Sequence, residues 1–134
     1  MPLIIWNDKY CVGIDQIDQQ HQKLILLLNI LYDAMMEGKG KGKLEQLLTE
    51  LVEYTKYHFK SEEELFEKFS YKGKAVHIKE HNDLREKVMD FSIKIKAGQG
   101  VITQDILKFL KAWINNHILS EDKKFALDIA SKIK

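Results

Sequence analysis

The sequence predicts an all-α protein: an up-down-up-down antiparallel four-helix bundle with an N-terminal arm and a short C-terminal helix. Pro2 is the single proline among 134 residues, so no internal proline would break a helix. The chain is rich in Leu, Ile, Lys and Glu, which are good helix formers or packing residues in helical proteins. Apolar residues also recur at helical spacing in four segments separated by short turns, as is typical of an antiparallel bundle.

We expect one domain over residues 1–134, because a chain of this length can bury a core by itself. The arm would cover about 1–17, the bundle about 18–119 and the C-terminal helix about 122–132. The four bundle helices are expected at these positions: the first from Asp15–Asp18 to Glu37, the second over about 44–69, the third over about 74–96, and the fourth from Thr103, a residue type that caps helix N-termini.

Composition and charge exclude several classes of partner. The 21 Lys and Arg residues nearly cancel the 20 Asp and Glu residues, and the net charge of +1 does not favour nucleic-acid binding. The lysines of Gly38–Lys43 alternate with glycines and are interpreted as a solvated loop. The longest apolar run, Leu24–Leu28, is far shorter than the roughly 18 residues of a membrane span, and the N-terminus lacks a signal-peptide pattern. Because Cys11 is the only cysteine, no intrachain disulfide can form, and we expect a cytoplasmic protein.

His58 and Glu62 form the first pair that points to a specific chemistry. Residues four apart share a helix face, and imidazole and carboxylate groups are both ligands for transition metals. Alone, the pair is more simply a surface histidine beside a solvated glutamate. However, both positions fall on the predicted buried stripe of the second helix, where leucines occupy the preceding turns. A carboxylate on such a stripe is costly unless it is paired or binds a metal.

The other helices supply further candidate ligands. His21 lies on the apolar stripe of the first helix, where a histidine that only fills the core is the alternative interpretation. His77 and His81 form a second pair with a spacing of four residues. This pair is similar to the two histidines of H-E-x-x-H zinc proteases, but Ile78 stands where the catalytic glutamate would be, which argues against a protease. His117 lies on the apolar face of the fourth helix.

Asp122 follows His117 by five residues, which is an unusual spacing for two ligands. On a straight α-helix the two side chains would be about 140° apart and would not share a face. If Asp122 is a ligand, the fourth helix must end or bend near Ser120. The alternative is that Ser120 or Asp122 caps the last helix, and the spacing alone does not decide between the two.

The candidate ligands fall at one level of the predicted bundle when residues are counted from the connecting turns. Five imidazoles and two carboxylates in one core layer would be strongly destabilising without a cation. This number of ligands suits two iron ions better than one zinc ion, whose structural sites usually hold four. The sequence therefore predicts a dinuclear metal centre formed by His21, His58, Glu62, His77, His81, His117 and Asp122.

Four motifs give the chain a specific resemblance to a known family. They are Asp18-Gln19-Gln20-His21, His58-Phe59-Lys60-Ser61-Glu62, His77-Ile78-Lys79-Glu80-His81 and His117-Ile118-Leu119-Ser120-Glu121-Asp122. In these motifs the chain resembles the hemerythrin family, in its bacterial single-domain form, over about residues 6–122. The resemblance implies a hemerythrin-like domain with a non-haem di-iron centre, bridged by an oxo or hydroxo group.

The resemblance also implies a role for each ligand. One iron would take His77, His81 and His117. The other would take His21 and His58 and keep an open position. Glu62 and Asp122 would bridge the two irons.

The function that the resemblance implies is reversible binding of dioxygen at the open iron, in a carrier, store or sensor, with small anions as further ligands. Leu24, Trp113 and Ile114 are candidates for the lining of the dioxygen pocket. Oxygen-activating di-iron bundles use inward Glu-x-x-His patterns, and their absence here favours reversible binding over an enzymatic reaction. The alternatives are a di-iron enzyme, such as a peroxidase or nitric-oxide-handling protein, and an iron store or structural metal site. We expect a monomer.

Overall fold

The computed structural model describes residues 3–98 and 104–133, and these residues form helices and connecting turns without any strand. The helices have the following bounds: α1 Asp15–Met36, α2 Lys41–Lys68, α3 Lys74–Lys96, α4 Gln104–His117 and α5 Lys123–Ile133, with a 3-10 helix at Asp8–Tyr10 and a π-helical turn at Ile118–Asp122. The all-α bundle with a C-terminal helix is confirmed. The expected cap at Thr103 lies outside the described residues. Within the described ranges, no helix is long and apolar enough to cross a membrane.

Helix α1 is held at both ends by local contacts. At its start, the carboxylate of Asp18 accepts hydrogen bonds from the preceding backbone amides of Val12 (2.7 Å) and Gly13 (3.3 Å). At its end, Gly38 adopts a φ of +74°, the left-handed conformation with which glycine commonly terminates helices. These features fix where α1 begins and ends.

Two polar side chains of the bundle, Asn29 and Asn115, hold the N-terminal arm through three hydrogen bonds. The side chain of Asn29 accepts a hydrogen bond from the backbone N–H of Ile4 (2.9 Å) and donates one to its carbonyl (2.8 Å). Further along the arm, the Tyr10 hydroxyl donates to Oδ1 of Asn115 (2.6 Å). Ile4 and Tyr10 are buried as a result, so the arm extends the core across α1 and α4.

Two apolar clusters enclose a polar layer of the bundle. The larger one contains residues from the arm and from all four bundle helices. The smaller one, called the lower cluster here, consists of Phe66, Tyr71, Phe125 and Ile129. The histidines and carboxylates of the layer lie along the helices between these clusters, so apolar packing separates them from water on both sides.

Gly73 makes room for the side chain of Tyr71, whose ring packs 5.4 Å from that of Phe66 and 5.3 Å from that of Phe125. A Cβ added at Gly73 would lie 2.6 Å from the Tyr71 hydroxyl oxygen, and the buried ring cannot move away freely. We therefore expect Gly73→Ala to lower the free energy of unfolding by about 1–3 kcal/mol, as overpacked sites do.

Denaturant unfolding of the two proteins would measure this change. Gly42→Ala is the matched control, because a Cβ at this position in α2 meets no atom within 4 Å. Alanine there should stabilise the protein by roughly 0.5–1 kcal/mol, since it favours the helical backbone. Equal effects of the two substitutions would show that the Tyr71 ring does not constrain residue 73.

Candidate metal centre

Every bundle helix contributes to the polar layer. The seven residues predicted from the sequence come from these elements: His21 from α1, His58 and Glu62 from α2, His77 and His81 from α3, His117 from α4, and Asp122 from the π-helical turn. All seven are at most 4% exposed. The structure therefore brings the whole predicted set together in the interior of the bundle.

The π-helical turn explains how His117 and Asp122 reach the same site. The helix does not stop at Ser120, but continues through Ile118–Asp122 with the wider winding of a π-helix. In this winding, hydrogen bonds join residues five apart, so side chains at that spacing lie on one face. Nε2 of His117 consequently lies 3.2 Å from Oδ1 of Asp122.

The Glu62 carboxylate faces two separate groups of imidazoles. Its Oε1 lies 3.0 Å from Nε2 of His81 and 3.6 Å from Nε2 of His77. Its Oε2 lies 3.4 Å from Nε2 of His58 and 3.6 Å from Nε2 of His21. Each oxygen thus serves a different pair of rings.

The two oxygens of the Asp122 carboxylate also face different histidines. Its Oδ1 lies 2.8 Å from Nε2 of His77 and 3.2 Å from that of His117, while Oδ2 lies 2.9 Å from Nε2 of His21. The layer therefore contains a three-His group (His77, His81 and His117) and a two-His group (His21 and His58) that share both carboxylates.

Three of the rings have a partner at Nδ1, the nitrogen that points away from the centre. Nδ1 of His58 lies 2.6 Å from Oε1 of Gln20. The amide N–H of Gln20 in turn donates to Ser61 (3.2 Å), whose hydroxyl donates to the carbonyl of Tyr57 (3.1 Å). Because Ser61 uses its hydrogen on that carbonyl, the amide oxygen must face His58 and accept its proton. Nε2 of His58 is then left free to face Glu62.

Carboxylates occupy the corresponding position behind two rings of the three-His group. Nδ1 of His81 donates to Glu63 (2.8 Å), whose carboxylate is also held by Arg85 (2.9 Å). Nδ1 of His117 donates to Glu80 (2.9 Å). Since a carboxylate only accepts, these rings also keep Nε2 free for the centre. Gln20, Glu63 and Glu80 are called the outer partners below.

The outer partners were not predicted from the sequence, although they share a positional pattern. Each is adjacent in sequence to a candidate ligand but serves a ring on the next helix of the bundle. Gln20 of α1 serves α2, Glu63 of α2 serves α3, and Glu80 of α3 serves α4. The signal in the sequence that could have identified the outer partners was a polar residue directly next to a candidate ligand.

A small cavity adjoins both rings of the two-His group and one ring of the three-His group, His117. Its volume is about 10 Å³, and its lining consists of His21, Leu24, His58, Phe59, Trp113, Ile114, His117, Ile118 and Asp122. The three predicted pocket residues, Leu24, Trp113 and Ile114, are all part of this lining. Both histidines of the two-His group line the cavity, whereas His77 and His81 of the three-His group do not.

Aromatic rings support two of the imidazoles. Phe59 stacks on His81 with ring centroids 3.8 Å apart and an interplanar angle of 5°. Trp113 stacks on His117 at 4.4 Å and 16°. These contacts limit rotation of the rings and place apolar surface next to the centre.

The comparison with known sequences decides the family. A model of the "Hemerythrin HHE cation binding domain" matches residues 12–126. The chain belongs to the hemerythrin family. A bacteriohemerythrin of Clostridium acetobutylicum is 33% identical over 127 residues, which cover 92% of this chain and 98% of the relative. A bacteriohemerythrin of Stenotrophomonas maltophilia is 34% identical and covers 94% of this chain and 81% of its own.

Solved hemerythrin structures share the fold. A wild-type hemerythrin crystal structure aligns with a TM-score of 0.89 at 30% identity, covering 92% of this chain and 95% of the other. The family resemblance inferred from the four motifs is thereby confirmed.

The donor set of this hemerythrin-family chain fits metal ions. Nε2 of His117 lies 3.0 Å from Nε2 of His77 and 3.1 Å from Nε2 of His81. Because His81 and His117 use their protons on Glu63 and Glu80, their Nε2 lone pairs face each other, an arrangement that needs a cation between them.

The two-His side gives the same result. Nε2 of His21 and Oε2 of Glu62, which faces this side, have no hydrogen-bond partner among the described residues, although they are fully buried. Buried polar atoms are nearly always satisfied, so these donors fit a bound cation.

In the metal-free protein, two of the proposed ligands, His21 and His77, are protonated at neutral pH. Burial opposes a charged His21, but the adjacent carboxylates of Asp122 and Glu62 outweigh it and raise its pKa to about 9. His77 has a pKa of about 9 for the same reasons. Burial alone would raise the pKa of the two carboxyls, but the surrounding imidazoles hold both below their usual range. Burial lowers the pKa of His58 to about 4, so this ring stays neutral.

Proposed function

We propose that the chain binds dioxygen reversibly at a non-haem di-iron centre with an oxo or hydroxo bridge, as a carrier, store or sensor. The observation that carries the proposal is the split of the buried donors into two histidine groups that share both carboxylates, with a cavity lined by both histidines of the two-His group. The names of the bacteriohemerythrin relatives support the same function.

The two groups would hold one iron ion each. The three-His group would bind the first ion, and the two-His group the second, with Glu62 and Asp122 giving one oxygen to each. The second position therefore has one protein ligand fewer, on the side where the cavity lies. Two ferrous ions bound at these positions would supply the electrons for reversible binding of dioxygen. Nitrogen donors that are neutral imidazoles add no further negative charge to the centre, which disfavours the more oxidised states of an oxygenase.

The residues around the cavity keep this position small and dry. A volume of about 10 Å³ accommodates about one water-sized molecule. Apart from the proposed ligands, the lining is apolar and includes Leu24, Trp113 and Ile114, so it offers no additional acid or base to a bound molecule. Small anions would compete for the same space. An enzyme acting on an organic substrate would need a pocket of roughly 300 Å³ or more, which disfavours that alternative.

Absorption spectra of the reduced, iron-loaded protein test the proposal. We expect a nearly colourless solution to gain a visible charge-transfer band in air and to lose it when oxygen is removed, over repeated cycles. Metal-free protein treated in the same way is the control and should remain colourless. Direct conversion to a stable ferric form, with no reversible band even after rapid mixing, would contradict a carrier and favour the enzyme or storage alternatives.

A further inference from the structure

The hydrogen bonds behind the imidazoles divide unequally between the two histidine groups. In the three-His group, His81 and His117 donate to the carboxylates of Glu63 and Glu80. In the two-His group, the single outer partner among the described residues is the neutral amide of Gln20. Two imidazoles of the three-His group are therefore hydrogen-bonded at Nδ1 to carboxylates, whereas no imidazole of the two-His group is, among the described residues.

This difference has a direct effect on ligand strength. A carboxylate that accepts the Nδ1 proton draws it away from the ring and makes Nε2 a stronger donor to a metal. Such charge-assisted hydrogen bonds are roughly twice as strong as those to a neutral amide, so they also fix the ring orientation more firmly. An ion in the three-His group would benefit from both effects.

The Glu63 side chain is itself held in place. Arg85 donates to its Oε2, and the guanidinium lies 5.2 Å above the ring of Phe59, which stacks on His81. The amide behind His58 is equally fixed, because Gln20 is buried and bonded to Ser61. The inequality between His81 and His58 is therefore built into side chains held by further contacts, while Glu80 behind His117 is partly exposed.

We propose that Glu63 and Glu80 are positioning residues that make the three-His group fill first and hold its ion tightly, whereas Gln20 leaves the two-His group the weaker, exchangeable position. This inference rests on the dinuclear centre proposed above. The ion that dissociates more easily would then be the one bound next to the cavity.

Anaerobic titration of the metal-free protein with Co²⁺ tests this proposal, because its d–d absorption reports the ligands of each ion added. We expect two resolved steps in the unsubstituted protein. Glu80→Gln should weaken the first step by about 10- to 100-fold and affect the second much less, as is typical of lost outer hydrogen bonds. Glu63→Gln is an independent variant with the same expectation.

Gln20→Glu provides the converse test. A carboxylate behind His58 should strengthen the second step by a similar factor of about 10 or more and bring the two steps closer together. A residue that merely supports the fold would not give this gain. Glu64→Gln and Gln22→Glu make the same charge changes at exposed positions of α2 and α1 and should leave both steps unchanged.

The outcomes separate the two proposals. Binding of fewer than two Co²⁺ ions by the unsubstituted protein would contradict the dinuclear centre itself. Binding of two ions, with both steps equally weakened or unaffected in Glu63→Gln and Glu80→Gln, would overturn the inequality alone. A weaker second step in Gln20→Glu would also overturn it. Helical circular dichroism of each metal-free variant would show that folding is preserved.

Discussion

Replacement of Glu62 by alanine is expected to reduce the iron content below two ions per chain and to abolish the reversible absorption band. Each Glu62 oxygen faces a different histidine group, at 3.0 Å from His81 and 3.4 Å from His58. The substitution therefore removes one donor from both proposed metal positions at once. Outer hydrogen bonds are worth about 10- to 100-fold in metal affinity, and loss of a direct shared ligand should cost at least as much. Iron analysis per protein chain would measure the loss.

Glu64→Ala is the matched control for this experiment, because Glu64 lies on the same helix but is exposed. It removes the same side chain from α2 without touching the centre and should retain both ions. If Glu62→Ala also retained two ions and an unchanged spectrum, Glu62 could not be a bridging ligand. The proposed sharing of carboxylates between the groups would then be wrong.

Removal of the metal ions is expected to make stability depend on alkaline pH. In the metal-free protein, His21 and His77 have pKa values of about 9, compared with 6.5 for an ordinary histidine. Since the folded state binds these protons more tightly, their stabilising contribution is complete below pH 6.5 and is lost as the pH rises to about 9 and above. The free energy of unfolding of the metal-free protein should therefore fall across this range.

Denaturant unfolding at several pH values, with and without bound metal, would measure this effect. Metal ions take the place of the protons on His21 and His77, so the loaded protein should lack the alkaline decrease. Metal uptake at neutral pH should accordingly release the protons of His21 and His77, about two per chain, in addition to any from His117, whose pKa the carboxylates also raise; calorimetry in buffers of different ionisation enthalpy can count them. A metal-free protein with constant stability between these pH values would show that the two rings are neutral in the folded state.

The sequence was sufficient for the bundle and for the set of candidate ligands. Helical periodicity without internal proline places α3 at Lys74–Lys96, as expected, and α2 begins only a few residues before its predicted start. His58 and Glu62 could be assigned to the interior because they continue a stripe of leucines. Such patterns depend on one helix at a time, which is why they can be recognised without a structure.

Features that depend on neighbouring helices could not be predicted in the same way. The spacing of His117 and Asp122 required a break in α-helical geometry but did not distinguish a helix end from a π-helical turn. The outer partner Glu80 lies next to His81 in the sequence, yet it serves a ring on α4. Only the relative rotation of packed helices brings these groups together, and no single segment encodes that rotation.

The π-helical turn also sets the phase of the chain that follows it. One row of buried residues along the last two helices advances in steps of three, four, three, five, three and four, at these positions: Leu107, Leu110, Ile114, His117, Asp122, Phe125 and Ile129; Ile118, Glu121 and Ala126 are buried beside this row. The step of five is one residue longer than an α-helix would use, and the wider turn absorbs that residue. Without this adjustment, each later side chain would be rotated by about 100°, and Phe125 would leave the lower cluster. The π-helical turn thus accommodates one extra residue locally, and the buried face of α5 remains aligned with that of α4.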